Sequence, residues 1–178
     1  MIHSEIKTVV GLGNPGPKFE RTRHNIGFLI LDQVVAAEGG SWDQRDNMEI
    51  FQSQIGEQSI LFIKPQTFMN DSGKVVPFLK KKGINPENVL IVHDDIDVPF
   101  GQIKLKQGGS ARGHNGLKSF IEAWGPDFYR LRVGVGRPDE KDQISDYVLK
   151  PFSEPYEKVQ KLIEEAVLKI EQILSRPF

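Results

Sequence analysis

Four polar side chains in the sequence are of types that could support base-assisted chemistry together, two as acid–base groups and two as hydrogen-bonding amides: His24, Asp94, Asn70 and Asn115. We predict His24 in the first turn of a helix capped by Thr22. The positive helix end there disfavours an imidazolium, and a neutral imidazole is the form that a general base requires. Asp94 follows a predicted buried strand and could orient an imidazole by accepting its hydrogen bond. Taken alone, His24 is better explained as a surface or capping histidine.

Asn70 and Asn115 each come just before or at the start of a predicted helix. Helix N-termini favour anions and developing oxyanions, although an asparagine at such a position is also a good N-cap. The sequence has no G-x-S-x-G motif, no serine with an evident base partner and no cysteine. It therefore favours a base acting on water over a covalent nucleophile.

The stretch VGLGNPG, residues 10–16, has the G-x-G-x-x-G spacing of a dinucleotide-binding loop. That fingerprint needs a helix directly after the last glycine and an acidic residue about 20 positions later, at the end of a second strand. Here prolines flank the last glycine and favour an extended or turn path, and Asp32 and Glu38 lie inside the next predicted helix. A nucleotide site is not expected. The loop is either a plain tight turn or a site in which Asn14 offers its carboxamide to a ligand.

The segment HDDID, residues 93–97, has a rival interpretation as a metal site formed by His93, Asp94, Asp95 and Asp97. No helical H-x-x-x-H or E-x-x-H pair accompanies these residues. The sequence therefore predicts neither a metal nor another cofactor.

The chain has 178 residues and a formal net charge of −1, which is typical of one domain spanning residues 1–178. No apolar run approaches the roughly 20 residues of a membrane span, and the N-terminus lacks the apolar core of a secretory signal. We expect a cytoplasmic protein without membrane contact. Basic residues predominate between residues 102 and 137. This bias suggests one anion-binding face, although a solvated pair of charged strands would explain it equally well.

Hydrophobic periodicity predicts strands alternating with helices. The predicted strands cover residues 6–11, 49–55, 59–63, 89–92, 102–106 and 129–136. The predicted helices cover residues 23–38, 115–124, a segment between 72 and 83, and a long amphipathic stretch from Pro155. The second and third strands form a hairpin, so the expected fold is a single α/β domain with a mixed twisted sheet flanked by helices.

Five segments in this order resemble motifs of bacterial-type peptidyl-tRNA hydrolases: VGLGNPGPKFERTRHNIGF, KPQTFMNDSG, VHDDIDVPFG, GGSARGHNGLKS and FYRLRVGVGRP. The match runs from about Lys7 to Pro138. That family hydrolyses the ester joining a peptide to the terminal ribose of tRNA, which recycles tRNA from stalled translation. The resemblance implies a monomeric enzyme that binds the acceptor stem and 3′ end of peptidyl-tRNA, with no metal, cofactor or obligatory protein partner.

The resemblance also implies roles for single residues. It places the catalytic histidine at His24, its supporting aspartate at Asp94, and the asparagine that distinguishes blocked from free aminoacyl-tRNA at Asn14. Asn70 and Asn115 would position substrate and water. The further substrate- and tRNA-binding residues that it implies are Phe19, Phe68, Met69, His114, Lys106 and Arg132, of which the last two would grip phosphate.

Two positions depart from the family pattern. Phe19 stands where many members carry tyrosine, so it lacks a phenolic hydroxyl. Arg112 replaces a small residue of the glycine-rich loop, residues 108–116, and would either add a phosphate contact or narrow the entrance. The alternative function is a non-catalytic RNA-binding or RNA-processing cofactor on the same fold. The presence of His24 and Asp94 together with Asn70 and Asn115 argues against it.

Overall fold

A computed structural model of the chain describes residues 6–55, 57–140, 143–175 and 178. Its strands are β1 (Thr8–Gly11), β2 (Asp43–Arg45), β3 (Met48–Ile55), β4 (Gln58–Pro65), β5 (Val89–Asp95), β6 (Ile103–Gln107) and β7 (Tyr129–Gly134). Its α-helices are α1 (Ile26–Ala37), α2 (Val76–Lys81), α3 (Asn115–Trp124), α4 (Ile144–Val148) and α5 (Tyr156–Leu174). Short 3₁₀ helices cover Pro17–Phe19, Arg23–Asn25, Met69–Val75 and Pro86–Asn88.

Across the described ranges the strands form a seven-stranded mixed sheet in the order β2-β3-β4-β1-β5-β7-β6. Strands β4, β1, β5 and β7 are parallel to one another, whereas β3 pairs antiparallel with β4 and β6 antiparallel with β7. The central strands are continuous apolar runs because helices cover both faces of the sheet. The predicted α/β fold, with a mixed sheet, a hairpin and flanking helices, is confirmed.

Two apolar layers hold the helices to the sheet. One face of the sheet packs against α1 and α5, whose inward stripes include Ile30, Val34 and Ala166. The other face packs against α3, where Phe120 contacts Phe128 edge to face with ring centroids 6.1 Å apart. None of the helices in the described part of the chain is long and apolar enough to cross a membrane.

Two helix starts differ from the prediction. The predicted helix 23–38 begins as the 3₁₀ turn Arg23–Asn25 and becomes α-helical at Ile26. The Thr22 hydroxyl does not cap it, because Thr22 Oγ1 donates instead to the Phe19 carbonyl at 2.9 Å. The helix predicted between residues 72 and 83 starts as a 3₁₀ segment and is α-helical only in α2, where Pro77 occupies the first turn. A proline is tolerated there because its missing N–H would have no helical partner.

Helix α1 lies in close contact with the sheet at Gly27. A methyl group at this position would lie 2.5 Å from the Val92 carbonyl oxygen and 2.6 Å from the Leu12 nitrogen. Both are backbone atoms, so the clash cannot be relieved by a rotamer change. We expect Gly27→Ala to lower the free energy of unfolding by about 1–3 kcal/mol in urea titrations. Ala36→Ser, on the exposed face of the same helix, should change it by less than about 0.5 kcal/mol; equal small effects would contradict the close approach.

Candidate active site

A cleft of about 440 Å³ opens where the loops after β1, β4 and β5 meet. Parallel strands end at the same edge of a sheet, so the loops that follow them converge there. The structure brings all of the site residues predicted from the sequence into the wall of this cleft. They are Asn14, Phe19, His24, Phe68, Met69, Asn70, Asp94, Lys106, His114, Asn115 and Arg132.

The His24 ring is held by the carboxylate at the end of β5. His24 Nδ1 lies 2.9 Å from Oδ2 and 3.0 Å from Oδ1 of Asp94. Burial alone would raise the pKa of Asp94, but the adjacent His24 and His114 rings hold this pKa well below its usual range. Asp94 is therefore an acceptor, and the proton lies on His24 Nδ1. The basic atom left on the ring is Nε2.

The protonation of His24 is governed by Asp94 rather than by a helix end. Burial lowers the pKa of His24, but the charge and the hydrogen bond of Asp94 outweigh it, so the pKa is raised above 6.5. The sequence-based expectation that a helix dipole disfavours the imidazolium is wrong, because His24 lies in a short 3₁₀ turn beside a buried carboxylate. Asp94 stabilises the cation that forms when His24 accepts a proton.

His114 is a second imidazole on the same carboxylate. It caps α3, since its Nδ1 accepts the backbone N–H groups of Gly116 at 3.1 Å and Leu117 at 3.3 Å. Its proton must then lie on Nε2, which is 2.9 Å from Asp94 Oδ1. The capping residue is thus His114 and not Asn115, and its contact with Asp94 was not predicted. The available signal was a histidine directly before a predicted helix start.

His93 lies behind this pair and supports the Asp94 backbone. Its Nδ1 donates to the Asp94 carbonyl at 2.7 Å, and its ring contacts the His114 ring with centroids 5.2 Å apart. Burial lowers the pKa of His93 to about 4, and the proximity of His114 acts in the same direction. His93 is therefore neutral near pH 7 and does not compete with His24 for the charge of Asp94.

The same cluster contains the atoms that a metal could use. In the described ranges, His24, Asp94 and His114 place one ligand-type atom each within 4.8 Å of one another. These atoms hydrogen-bond among themselves, which accounts for their proximity without an ion. The metal set considered from HDDID is not assembled, because the carboxylates of Asp95 and Asp97 face arginine side chains.

Asn14 is fixed with one edge of its carboxamide already used. Its backbone N–H donates to Asn25 Oδ1 at 2.8 Å, and Asn25 Nδ2 donates back to the Asn14 carbonyl at 2.9 Å. The Met69 N–H donates to Asn14 Oδ1 at 2.7 Å. The Nδ2 group has no hydrogen-bond partner among the described residues, so Asn14 presents a donor to a ligand in the cleft.

Asn70 and Asn115 remain available to a ligand. Both side chains are exposed at the cleft wall, Asn70 in the 3₁₀ segment after β4 and Asn115 at the first position of α3. Neither side chain makes a hydrogen bond within the part of the chain that the structure describes. Each can therefore donate to or accept from a bound molecule.

An aromatic pair and two cations border the cleft. The rings of Phe19 and Phe68 meet edge to face with centroids 6.3 Å apart, and Phe68 is 60% exposed. Lys106 on β6 makes no ion pair with any described carboxylate, whereas Arg132 on β7 donates through Nε to Asp95 Oδ2 at 2.8 Å. Lys106 is thus the freer of the two predicted phosphate-binding residues.

Arg130 on β7 also lines the cleft, and its guanidinium is held by the protein itself. It lies directly opposite Lys106 in the β6–β7 ladder but is only 3% exposed. Its guanidinium donates to the carbonyls of Gly109 at 2.5 Å and Ser110 at 2.6 Å, and it stacks 4.7 Å from the Phe128 ring centre. Arg130 therefore holds the glycine-rich loop against the sheet.

Comparisons with known proteins agree on one family. A family model described as "Peptidyl-tRNA hydrolase" matches residues 8–178. The chain is 41% identical over 167 residues to the peptidyl-tRNA hydrolase of Aquifex aeolicus (strain VF5), covering 92% of this chain and 87% of that one. It is 45% identical over 158 residues to that of Sulfurovum sp. (strain NBC37-1), covering 87% and 82%. The crystal structure of the peptidyl-tRNA hydrolase from Acinetobacter baumannii superposes with a TM-score of 0.89 at 36% identity, covering 97% and 90%.

Proposed function

The chain belongs to the peptidyl-tRNA hydrolase family, and from this premise we propose that it releases tRNA from peptidyl-tRNA with His24 as the general base. Its class is that of carboxylic ester hydrolases, and its family and fold support ester hydrolysis of peptidyl-tRNA. The observation that carries the proposed mechanism is the His24–Asp94 hydrogen bond, which leaves Nε2 as the basic atom of a ring that lines the cleft.

The reaction follows from that geometry. His24 Nε2 takes a proton from water as the oxygen attacks the ester carbonyl, and Asp94 stabilises the imidazolium that forms. The tetrahedral intermediate then expels the ribose oxygen, which takes the proton back from His24. The peptide carboxylic acid then loses its proton to solvent, so the products are a peptide carboxylate and a tRNA with free terminal hydroxyls. Release of this tRNA from stalled complexes would return it to translation.

The free carboxamides of Asn70 and Asn115 supply the remaining polar contacts. We assign them to positioning the attacking water and the carbonyl oxygen, because both side chains are exposed in the cleft without a protein partner in the described ranges. A donor aimed at a developing oxyanion contributes on the order of 10²–10³ in kcat.

Asn14 is assigned the choice between blocked and free substrates. Its Nδ2 can donate to an amide carbonyl of the peptide, whereas a free α-ammonium would meet another donor. We expect Asn14→Asp to lower the ratio of kcat/KM for N-acetyl-aminoacyl-tRNA over aminoacyl-tRNA by about 10- to 100-fold, the worth of one hydrogen bond to a charged group. Gln44→Glu, the same change on the exposed strand β2, should leave the ratio unaltered. An unchanged preference in Asn14→Asp would remove this role.

Lys106 is assigned to a phosphate near the acceptor stem. We expect Lys106→Ala to raise KM for full-length peptidyl-tRNA. The slope with which the logarithm of the affinity falls against the logarithm of the salt concentration should become shallower by about one unit. Cleavage of a minimal peptidyl-nucleotide ester should hardly change, because that substrate lacks the stem. Lys158→Ala, an exposed lysine of α5, is the control. Equal losses on the full and minimal substrates would show that Lys106 shapes the cleft instead.

The test of the proposed function is release of free tRNA by the purified protein. We expect N-acetyl-aminoacyl-tRNA to be hydrolysed by the chain alone, in chelator and without cofactor or a second protein. Binding of tRNA without any release would favour the alternative, a non-catalytic RNA-binding protein on the same fold.

A further inference from the structure

The turn that carries His24 is attached to one wall of the cleft. Helix α4 and the residue after it form this wall, with Ile144, Ser145, Val148 and Leu149 lining the cleft. Leu149 is 43% exposed, so the wall offers an apolar surface to a bound molecule. A molecule that binds against this wall therefore contacts the helix to which the turn of His24 is attached.

Arg23, the neighbour of His24 in the chain, makes the attachment. Its side chain is buried with 4% exposure, and its Nη1 donates to the Tyr147 carbonyl at 2.8 Å. Its guanidinium carbon lies 3.7 Å from the centre of the Tyr147 ring, and Nη2 donates to Ser153 Oγ at 3.3 Å. The Arg23 backbone N–H adds a bond to the Lys150 carbonyl at 3.1 Å.

The guanidinium has no carboxylate partner within 4.0 Å in the residues that the structure describes. A buried cation is normally paired, because burial without compensation is costly. Here the compensation comes from a carbonyl, a hydroxyl and an aromatic face, all from the segment that begins at α4. The wall is anchored on its other side too, since the Tyr147 hydroxyl donates to the Val135 carbonyl at 2.6 Å just beyond β7.

We propose that Arg23 and Tyr147 act as one positioning unit that couples the α4 wall to the placement of His24. The inference rests on the proposed function of His24 and adds two residues that reach the reaction only through it. A guanidinium stacked and hydrogen-bonded on one helix fixes the turn Arg23–Asn25 against that helix, so movement of the wall moves the imidazole. A displacement of about 1 Å at a reacting group costs on the order of 10² in rate.

The test is a double-mutant cycle in the full-length protein. Arg23→Met and Tyr147→Leu should each lower kcat on N-acetyl-aminoacyl-tRNA about 10- to 100-fold and change KM less than about twofold, because the phosphate contacts lie elsewhere. The double variant should lose no more than the stronger single variant, since one unit has been broken in both cases. The matched controls are Arg21→Met and Tyr156→Leu, both exposed, which should keep wild-type kcat.

A second readout separates positioning from simple loss of folded protein. The pKa of His24, titrated by NMR in the free protein, should fall in Tyr147→Leu, because the ring is held less firmly against Asp94 while the charge of Arg23 is kept. Circular dichroism must show the native fold; if Arg23→Met does not fold, Arg23→Lys carries the test and should give a smaller loss of the same kind. Wild-type kcat in folded variants, an unmoved His24 pKa, or losses that multiply in the double variant would each overturn the proposal. If the wild type itself releases no tRNA, the proposed function fails instead, and the pKa measurement still judges the coupling.

Discussion

Replacing His24 by asparagine is expected to lower kcat on peptidyl-tRNA by about 10²–10⁴, the usual worth of a general base. Asparagine can still donate to Asp94, so the buried carboxylate keeps a partner and the turn Arg23–Asn25 should stay in place. The substituted side chain has no basic atom, and water must attack unassisted. The KM for peptidyl-tRNA should hardly change, because the predicted phosphate-binding residues Lys106 and Arg132 are untouched.

Single-turnover release of tRNA measures this effect without interference from product release. Asn70→Ala is a useful comparison, because a lost oxyanion donor should cost on the order of 10²–10³ without changing how the rate depends on pH. Wild-type turnover by folded His24→Asn protein would show that another group takes the proton.

Asp94→Asn is expected to lower kcat by roughly the same factor and also to shift the pKa of His24. Burial lowers this pKa, and both contributions that raise it come from Asp94. With the carboxylate removed, the pKa should drop below 6.5, so the acid limb of kcat/KM moves to lower pH while its plateau falls. The plateau falls because an amide no longer stabilises the imidazolium and can hold the ring in the wrong tautomer.

The same shift predicts how stability depends on pH. A histidine whose folded pKa is raised above 6.5 stabilises the fold fully below pH 6.5, and this contribution disappears as the pH rises through the folded pKa. Asp94→Asn removes this contribution of His24. The substitution should therefore lower the free energy of unfolding more at pH values below 6.5 than at pH values above the folded pKa of His24. Asp97→Asn, a neighbouring carboxylate paired with Arg137, is the control and should leave the His24 pKa unchanged. An unmoved His24 titration in Asp94→Asn would contradict the proposed role of Asp94.

Much of the fold was predictable because the strands of the sheet follow short-range hydrophobic patterns in the sequence. The apolar runs of β1 and β5 indicate strands covered on both faces, and the alternation in β7 marks a strand with one polar face. The helix starts were less predictable. A 3₁₀ turn and an α-helix share similar spacings, and whether Thr22 caps a helix depends on the Phe19 carbonyl that lies in reach of its hydroxyl.

The residues that line the site could be predicted from the sequence, but the contacts among them could not. Residues after β1, β4 and β5 must meet at one edge of a parallel sheet, and the family resemblance names which of them matter. The bond between His114 and Asp94 joins residues 20 positions apart, and that between Arg23 and Tyr147 spans 124. Arg130 lies on the polar face of β7 by alternation, yet the folded glycine-rich loop buries it. Contacts of this kind depend on tertiary packing, which no local pattern records.

The assignment of His24 as the general base is tested most directly by following the titration of His24 with two methods, enzyme kinetics and NMR. We expect the single-turnover rate of tRNA release under subsaturating substrate to rise with pH and reach a plateau, with a midpoint above 6.5 that equals the His24 pKa measured by NMR in the free protein. The rise should be absent in His24→Asn. A rate that does not follow the His24 titration, or one that keeps the same midpoint and height in His24→Asn, would contradict the assignment of His24 as the general base.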